Sequence, residues 1–200
     1  MDGSDAEPSE PTGRKGSIDA GVRRFDLSRS TVGELASTTE SVAGATLNAD
    51  DVAGRNGTVS SVLVGVGGGP HSGATVDFAR TLAEEADAWI DLFHVASAAV
   101  TASDPEAETK HAEGDRLLDA AADRLDGFER ADRWLVESYT PADAIVEQSA
   151  YYDVVIVGAP TTGTIGRFVF GCTTDAVVDD AAVPVIVVES DGSTGLIEDD

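Results

Sequence analysis

Basic residues are scarce in this 200-residue chain: 13 Lys and Arg stand against 37 Asp and Glu, a formal net charge of -24. Lys15 and Lys110 are the only lysines. A surface of that sign repels a phosphate backbone and an anionic bilayer, so neither nucleic acid nor membrane insertion is expected. The same charge is least strained where concentrated salt shortens the screening length to about 3 Å, which points to the cytosol of an extreme halophile. Cysteine is almost absent as well. Cys172 alone forms no internal disulfide and suits a reducing compartment. No apolar run approaches the roughly 18 residues that span a bilayer, and the N-terminal stretch is acidic and polar where a secretory leader is basic and then apolar. A cytoplasmic protein is expected. His71, His94 and His111 are the only histidines and lie far apart, so no metal site is expected either.

What the chain does contain is a set of β-branched runs separated by small-residue loops. Val154 to Val157 ends in Gly158, a Gly/Thr-rich loop follows, Gly171 opens an amphipathic segment, and Val183 to Val188 closes the unit. Strand, loop, helix, strand is a βαβ unit, and the continuous apolar character of both strands predicts a parallel sheet covered on both faces. Upstream, Val62 to Val66 reads as a strand, with Ser72 capping a helix through about Ala86 whose Val76, Ala79, Leu82, Ala83 and Ala86 share one face. Trp89 to Val95 is the second strand. Leu117, Leu118, Ala121, Ala122 and Leu125 mark a helix from about Glu108 to Asp126, which Gly127 ends. Arg133 to Ser138 is the third strand, and Thr140 and Pro141 open a short helix with Ile145, Val146 and Ala150 inward. The alternation predicts an α/β fold: a doubly wound, five-stranded parallel sheet with helices on both faces and right-handed crossovers. A ligand would then sit beyond the carboxyl ends of the strands.

Residues 1–57 hold few apolar residues, among them Val22, Phe25, Leu27 and Leu35, and read as a disordered acidic N-terminal extension. Arg23 to Leu27 is its one candidate docking peptide for a protein partner. Residues 58–189 are the expected domain, and 190–200 an acidic C-terminal tail.

Over about Val59 to Val188 the chain resembles the universal stress protein (UspA) family. The resemblance is carried by Val62-Leu63-Val64-Gly65-Val66, by Leu92-Phe93-His94-Val95, and by the blocks Tyr152 to Gly158 and Pro184 to Val188. It implies a Rossmann-like sheet in the order 3-2-1-4-5, and often a homodimer. In that order Val185 to Val188 lies at a sheet edge, where a long apolar strand is a template for pairing unless it is covered, so the edge is the expected dimer contact.

Nucleotide-binding members carry G-x2-G-x9-G-[ST] after the fourth strand. Laid on this chain, the motif falls on Gly158, Thr161, Gly171 and Cys172, so two of four positions depart from it. The family's acidic residue after the first strand, which holds the nucleoside, is here Gly67. The resemblance thus implies a weakened site made of Gly67, Gly68 and Val95 together with Gly158, Thr161, Arg167, Gly171, Cys172, Thr173 and Thr174. Its ligand would be ATP or another adenine nucleotide with Mg, or none. Backbone amides from Gly171 to Thr174 could receive phosphate at a helix N-terminus, and Arg167 is the loop's one cation.

Other chemistry finds less support. Gly68 to Thr75 lacks the P-loop lysine, Ala74 standing in its place. Cys172 has no evident base beside it. The expected function is a non-enzymatic stress-type regulatory protein that senses adenine nucleotide. The alternatives are an accessory or dimerisation scaffold without nucleotide, and a weak adenine-nucleotide hydrolase.

Overall fold

The computed structural model describes residues 25–48, 58–69, 71–98, 105–159, 172–190, 192 and 196. In chain order the elements are α1 (Arg29–Thr38), β1 (Val42–Asn48), β2 (Ser61–Gly65), α2 (Ser72–Ala86), β3 (Trp89–Ser97), α3 (Pro105–Arg124), β4 (Ala131–Ser138), α4 (Pro141–Ser149), β5 (Val154–Gly158), α5 (Cys172–Asp180) and β6 (Val185–Ser190). The strands form one six-stranded sheet in the order β1-β6-β5-β2-β3-β4. β2 pairs parallel with β3 and β5, β3 with β4, and β5 with β6. Read alone, these five strands run third, second, first, fourth, fifth, but the expected all-parallel five-stranded sheet is not what forms. β1 adds antiparallel to β6, placing Ala45 opposite Val188 and Leu47 opposite Ile186.

Alternation along each strand explains why both faces are covered. Val62, Val64, Ile90, Leu92, Ile156, Ile186 and Val188 join α2 and α3 on one side. Leu63, Phe93, Val155, Val157, Val185 and Val187 join α4 and α5 on the other. Successive side chains of a strand point to opposite faces, so a strand apolar at every position needs helices on both.

Residues 25–48 correct the expectation of a disordered extension, and those on either side, 1–24 and 49–57, lie outside the described residues. Ser28 caps α1 by accepting from the Thr31 amide at 3.2 Å. Val32, Leu35 and Ala36, at helical spacing, are buried in the core that α2 lines, and Phe25 and Leu27 pack against it. The two anchors of the supposed docking peptide are therefore used within the chain. Ser41 donates to Asp77 of α2 at 2.5 Å, and Arg124 of α3 forks onto both Asp77 oxygens at 2.7 Å. Thr39 adds a bond to Thr81 at 3.1 Å. The ordering entropy of this segment is offset by a surface that its own sequence does not reveal. The edge expected to be free for a second copy is covered by β1.

Smaller differences have local causes. Ser72 is the first residue of α2 and not its cap, because its hydroxyl donates to the Gly67 carbonyl; His71 occupies the cap position. α2 stops at Asp87 in the left-handed conformation, φ 56°. Gly127, at φ 78°, is the last residue of the turn that follows α3, as its sequence position suggests.

Asp153 ties the starts of β2 and β5 together: one of its carboxylate oxygens accepts from the amides and hydroxyls of Ser60 and Ser61 at 2.7 to 3.1 Å. Burial alone would raise its pKa, but those four bonds outweigh it and hold the group below the ordinary aspartate value. A depressed carboxylate stabilises the fold fully above about pH 4, and the contribution fades as pH falls through the folded value. Asp153→Asn is expected to cost about 1–2 kcal/mol at neutral pH. The difference from wild type in urea unfolding should shrink toward pH 3; a constant difference would contradict this assignment.

Candidate functional site

β2 is the switch point of the sheet, since the chain runs from it to β3 on one side and returns as β5 on the other. In doubly wound sheets the crevice outside the carboxyl ends of such strands is where ligands bind. Here a cavity of about 280 Å³ opens at that place. Val66 and Gly67 form its floor beyond β2, Phe93 and Val95 come from β3, and Val157 and Gly158 from β5. Pro141 and Ile145 of α4 close one wall, and Thr173 and Thr174 of α5 with His71 close another.

The two walls differ in chemistry. Phe93, Val95, Pro141 and Ile145 form an apolar slot of the kind that accepts a planar ring. In the same lining the first turn of α5 presents backbone amides that no helical carbonyl can satisfy, with the positive end of the helix dipole. Thr174 donates its hydroxyl to the Gly158 carbonyl at 3.2 Å, fixing that turn against the end of β5. Asp175 in the same turn opposes an anion.

Two histidines enter this cavity. His94 bonds through Nδ1 to the Val66 carbonyl at 2.8 Å, so this nitrogen carries the proton. That is the hydrogen-bonded strand residue its apolar surroundings suggest. His71 is different: its Nδ1 is buried with no hydrogen-bond partner, and burial lowers its pKa. Its ring lies against Gly158, where an added Cβ would come within 2.3 Å of His71 Cδ2 and 2.8 Å of Thr75 Oγ1. Glycine at 158 is thus required by the ring beside it.

Of the site residues expected from sequence, Gly67, Val95, Gly158, Thr173 and Thr174 converge on this cavity. Gly68 lines a neighbouring open depression with Glu108, Glu113 and Arg116. Thr161, Arg167 and Gly171 lie outside the described residues. Cys172 is the first residue of α5, and its side chain also lies outside the description. Phe93, Pro141, Ile145 and the packing of His71 were missed, because each depends on residues brought together from distant segments. At Gly67, an added Cβ would meet only Ser72 Oγ, at 3.9 Å. Among the described residues no group of three or more His, Cys, Asp or Glu is placed to hold a metal ion, and no helix is long and apolar enough to cross a membrane.

No curated protein matches the chain. Among solved structures, a universal stress protein in complex with cAMP is similar at 23% identity, with 67% of this chain and 99% of that one covered and a TM-score of 0.54. UspA from Lactobacillus plantarum is similar at 24% identity, covering 66% and 99%, with a TM-score of 0.56. The universal stress protein from Archaeoglobus fulgidus in complex with dAMP is similar at 17% identity, covering 66% and 99%, with a TM-score of 0.51. At these identities the likeness is one of fold. The universal stress protein family profile matches residues 58–189, from just before β2 through nearly all of β6, and the chain belongs to that family.

Proposed function

We propose that this chain is a regulatory protein of the universal stress type that binds an adenine mononucleotide beyond the ends of β2, β3 and β5. The observation that carries the reading is the mixed lining of one cavity: apolar Phe93, Val95 and Ile145 together with Thr173 and Thr174 at the N-terminus of α5 and Gly158 at the end of β5. The slot would pack the base, and the amides of Thr173 and Thr174 would receive the phosphate. Two similar folds carry cAMP and dAMP, which supports the ligand class.

The described wall has two histidines and two threonines but no carboxylate or thiol poised beside a base, which favours binding over turnover. The net charge of -24 favours a cytoplasm rich in salt.

The test is thermal unfolding in molar KCl with AMP, cAMP, or ATP and Mg. A ligand at about a hundred times its dissociation constant adds roughly 2.7 kcal/mol of stability. AMP or cAMP should raise the midpoint. Gly67→Asp restores the family's acidic residue at a position with room for it, and a hydrogen bond to a charged group is worth about 1.5–3 kcal/mol. That variant is expected to bind AMP about tenfold tighter. No midpoint shift in either protein at millimolar nucleotide would remove the reading.

A further inference from the structure

Of the two ring nitrogens of His71, Nδ1 is the one that is buried without a partner. The ring lines the cavity beyond β2, so Nε2 is the nitrogen that opens onto it. Two glycines hold the ring in place: a side-chain carbon on Gly69 would strike Cε1, and one on Gly158 would strike Cδ2. A side chain fixed in this way gives up little rotamer freedom when it meets a ligand. A buried N–H with no acceptor is among the rarest states of a polar group, so the bare lone pair lies at Nδ1 and the hydrogen at Nε2. Charging the ring would put a second hydrogen on the buried nitrogen, and burial lowers the His71 pKa accordingly. His94 is arranged the other way. Its Nδ1–H is taken by the Val66 carbonyl, which leaves a neutral His94 only a lone pair at Nε2.

We infer that His71 is a phosphate-binding residue of this chain: its Nε2–H donates to a phosphate oxygen of the nucleotide beside the first turn of α5. The inference rests on the nucleotide reading above. His71 packs at Gly158, and Thr174 ties the carbonyl of that same residue to the first turn of α5, so ring and helix terminus share one end of the cavity. A phosphate dianion offers acceptors alone, which suits the Nε2–H of His71 and not the bare Nε2 of His94. Among the described residues no Lys or Arg lines the cavity, so this end receives an anion with uncharged donors. The charged groups on the surrounding elements are largely engaged elsewhere. Asp77 of α2 is held by Ser41 and Arg124, Asp91 of β3 accepts from Tyr152, and Asp143 of α4 accepts from Thr140. β2 and β5 carry no charged residue, and Asp175 of α5 is exposed.

The test uses the full chain in molar KCl, titrated calorimetrically with AMP and with adenosine, and imidazole nitrogen spectra with AMP or inorganic phosphate as the probe. His71→Ala should weaken AMP about tenfold, the scale of one hydrogen bond to a charged group, and adenosine less than about twofold. His71→Gln keeps a neutral N–H donor and should stay within about threefold of wild type for AMP. The ratio of AMP affinities between wild type and His71→Ala should hold constant from about pH 8 to about pH 6, because an uncharged donor does not change across the ordinary histidine range. Equal losses for AMP and adenosine would mean that the ring only packs, and a ratio that grows several-fold toward pH 6 would mean that an imidazolium binds; either overturns the inference. So does a ligand-free spectrum that places the His71 hydrogen on Nδ1. AMP binding that His71→Ala leaves unchanged sinks this inference alone. Inorganic phosphate that moves the His71 resonances in a chain binding no AMP upholds it and sinks the nucleotide reading, and a chain that binds neither probe removes both.

Discussion

Val32→Asp should detach the segment before β2 and cost about 3–5 kcal/mol, the scale of an unpaired charge forced into a core. Val32 is 0% exposed in the core shared with α2 and α3. The cost is bounded by the free energy with which the segment docks, because the chain can release α1 and β1 and keep the rest folded. Hydrogen exchange should therefore show protection lost at Arg29–Thr38 and Val42–Asn48 while β2, β3 and β5 stay protected. Were residues 25–48 a solvated tail, the substitution would fall within about 0.5 kcal/mol of wild type, as surface changes do. That outcome would refute the observed packing.

The second large effect is expected at Gly158. Its missing side chain leaves space that the His71 ring and Thr75 occupy, and a methyl there would sit 2.3 Å from His71 Cδ2. Gly158→Ala is expected to destabilise the protein by about 1–3 kcal/mol through overpacking. It should also weaken AMP binding, because the displaced ring moves into the cavity. His71→Ala in the same chain should recover more than half of the lost stability, with a coupling free energy of about 1–2 kcal/mol in urea unfolding. Additive effects of the two substitutions would mean that the ring and the glycine do not oppose each other.

How much of this was legible in the sequence follows from where each interaction lies along the chain. The β2, β5 and β6 runs were readable because a strand buried on both faces is apolar at every position, and that pattern is local. Gly67, Val95, Gly158, Thr173 and Thr174 were readable because the family resemblance lays its nucleotide-binding positions on the ends of these strands and on the first turn of α5. α1 and β1 were not. Val32, Leu35 and Ala36 keep helical spacing, but Ser30, Thr31, Ser37 and Thr38 around them dilute the signal, and the stabilisation comes from Phe78, Leu82 and the β6 edge far along the chain. The glycine at 158 was visible as a turn residue, yet its partner lies 87 positions earlier at His71 (158 minus 71). The β6 edge was legible as one that demands a cover, but the cover was assigned to a second copy, and it is the chain's own β1 that supplies it.

Amide spectra of the isotope-labelled full chain, titrated with AMP in molar KCl, address the central claim most directly. The account predicts that resonances of Val66, Gly67, Val95, Gly158, Thr173 and Thr174 move together with one dissociation constant, while those of α1 and β1 stay still. Shifts confined to other surfaces, or none at millimolar AMP, would contradict it.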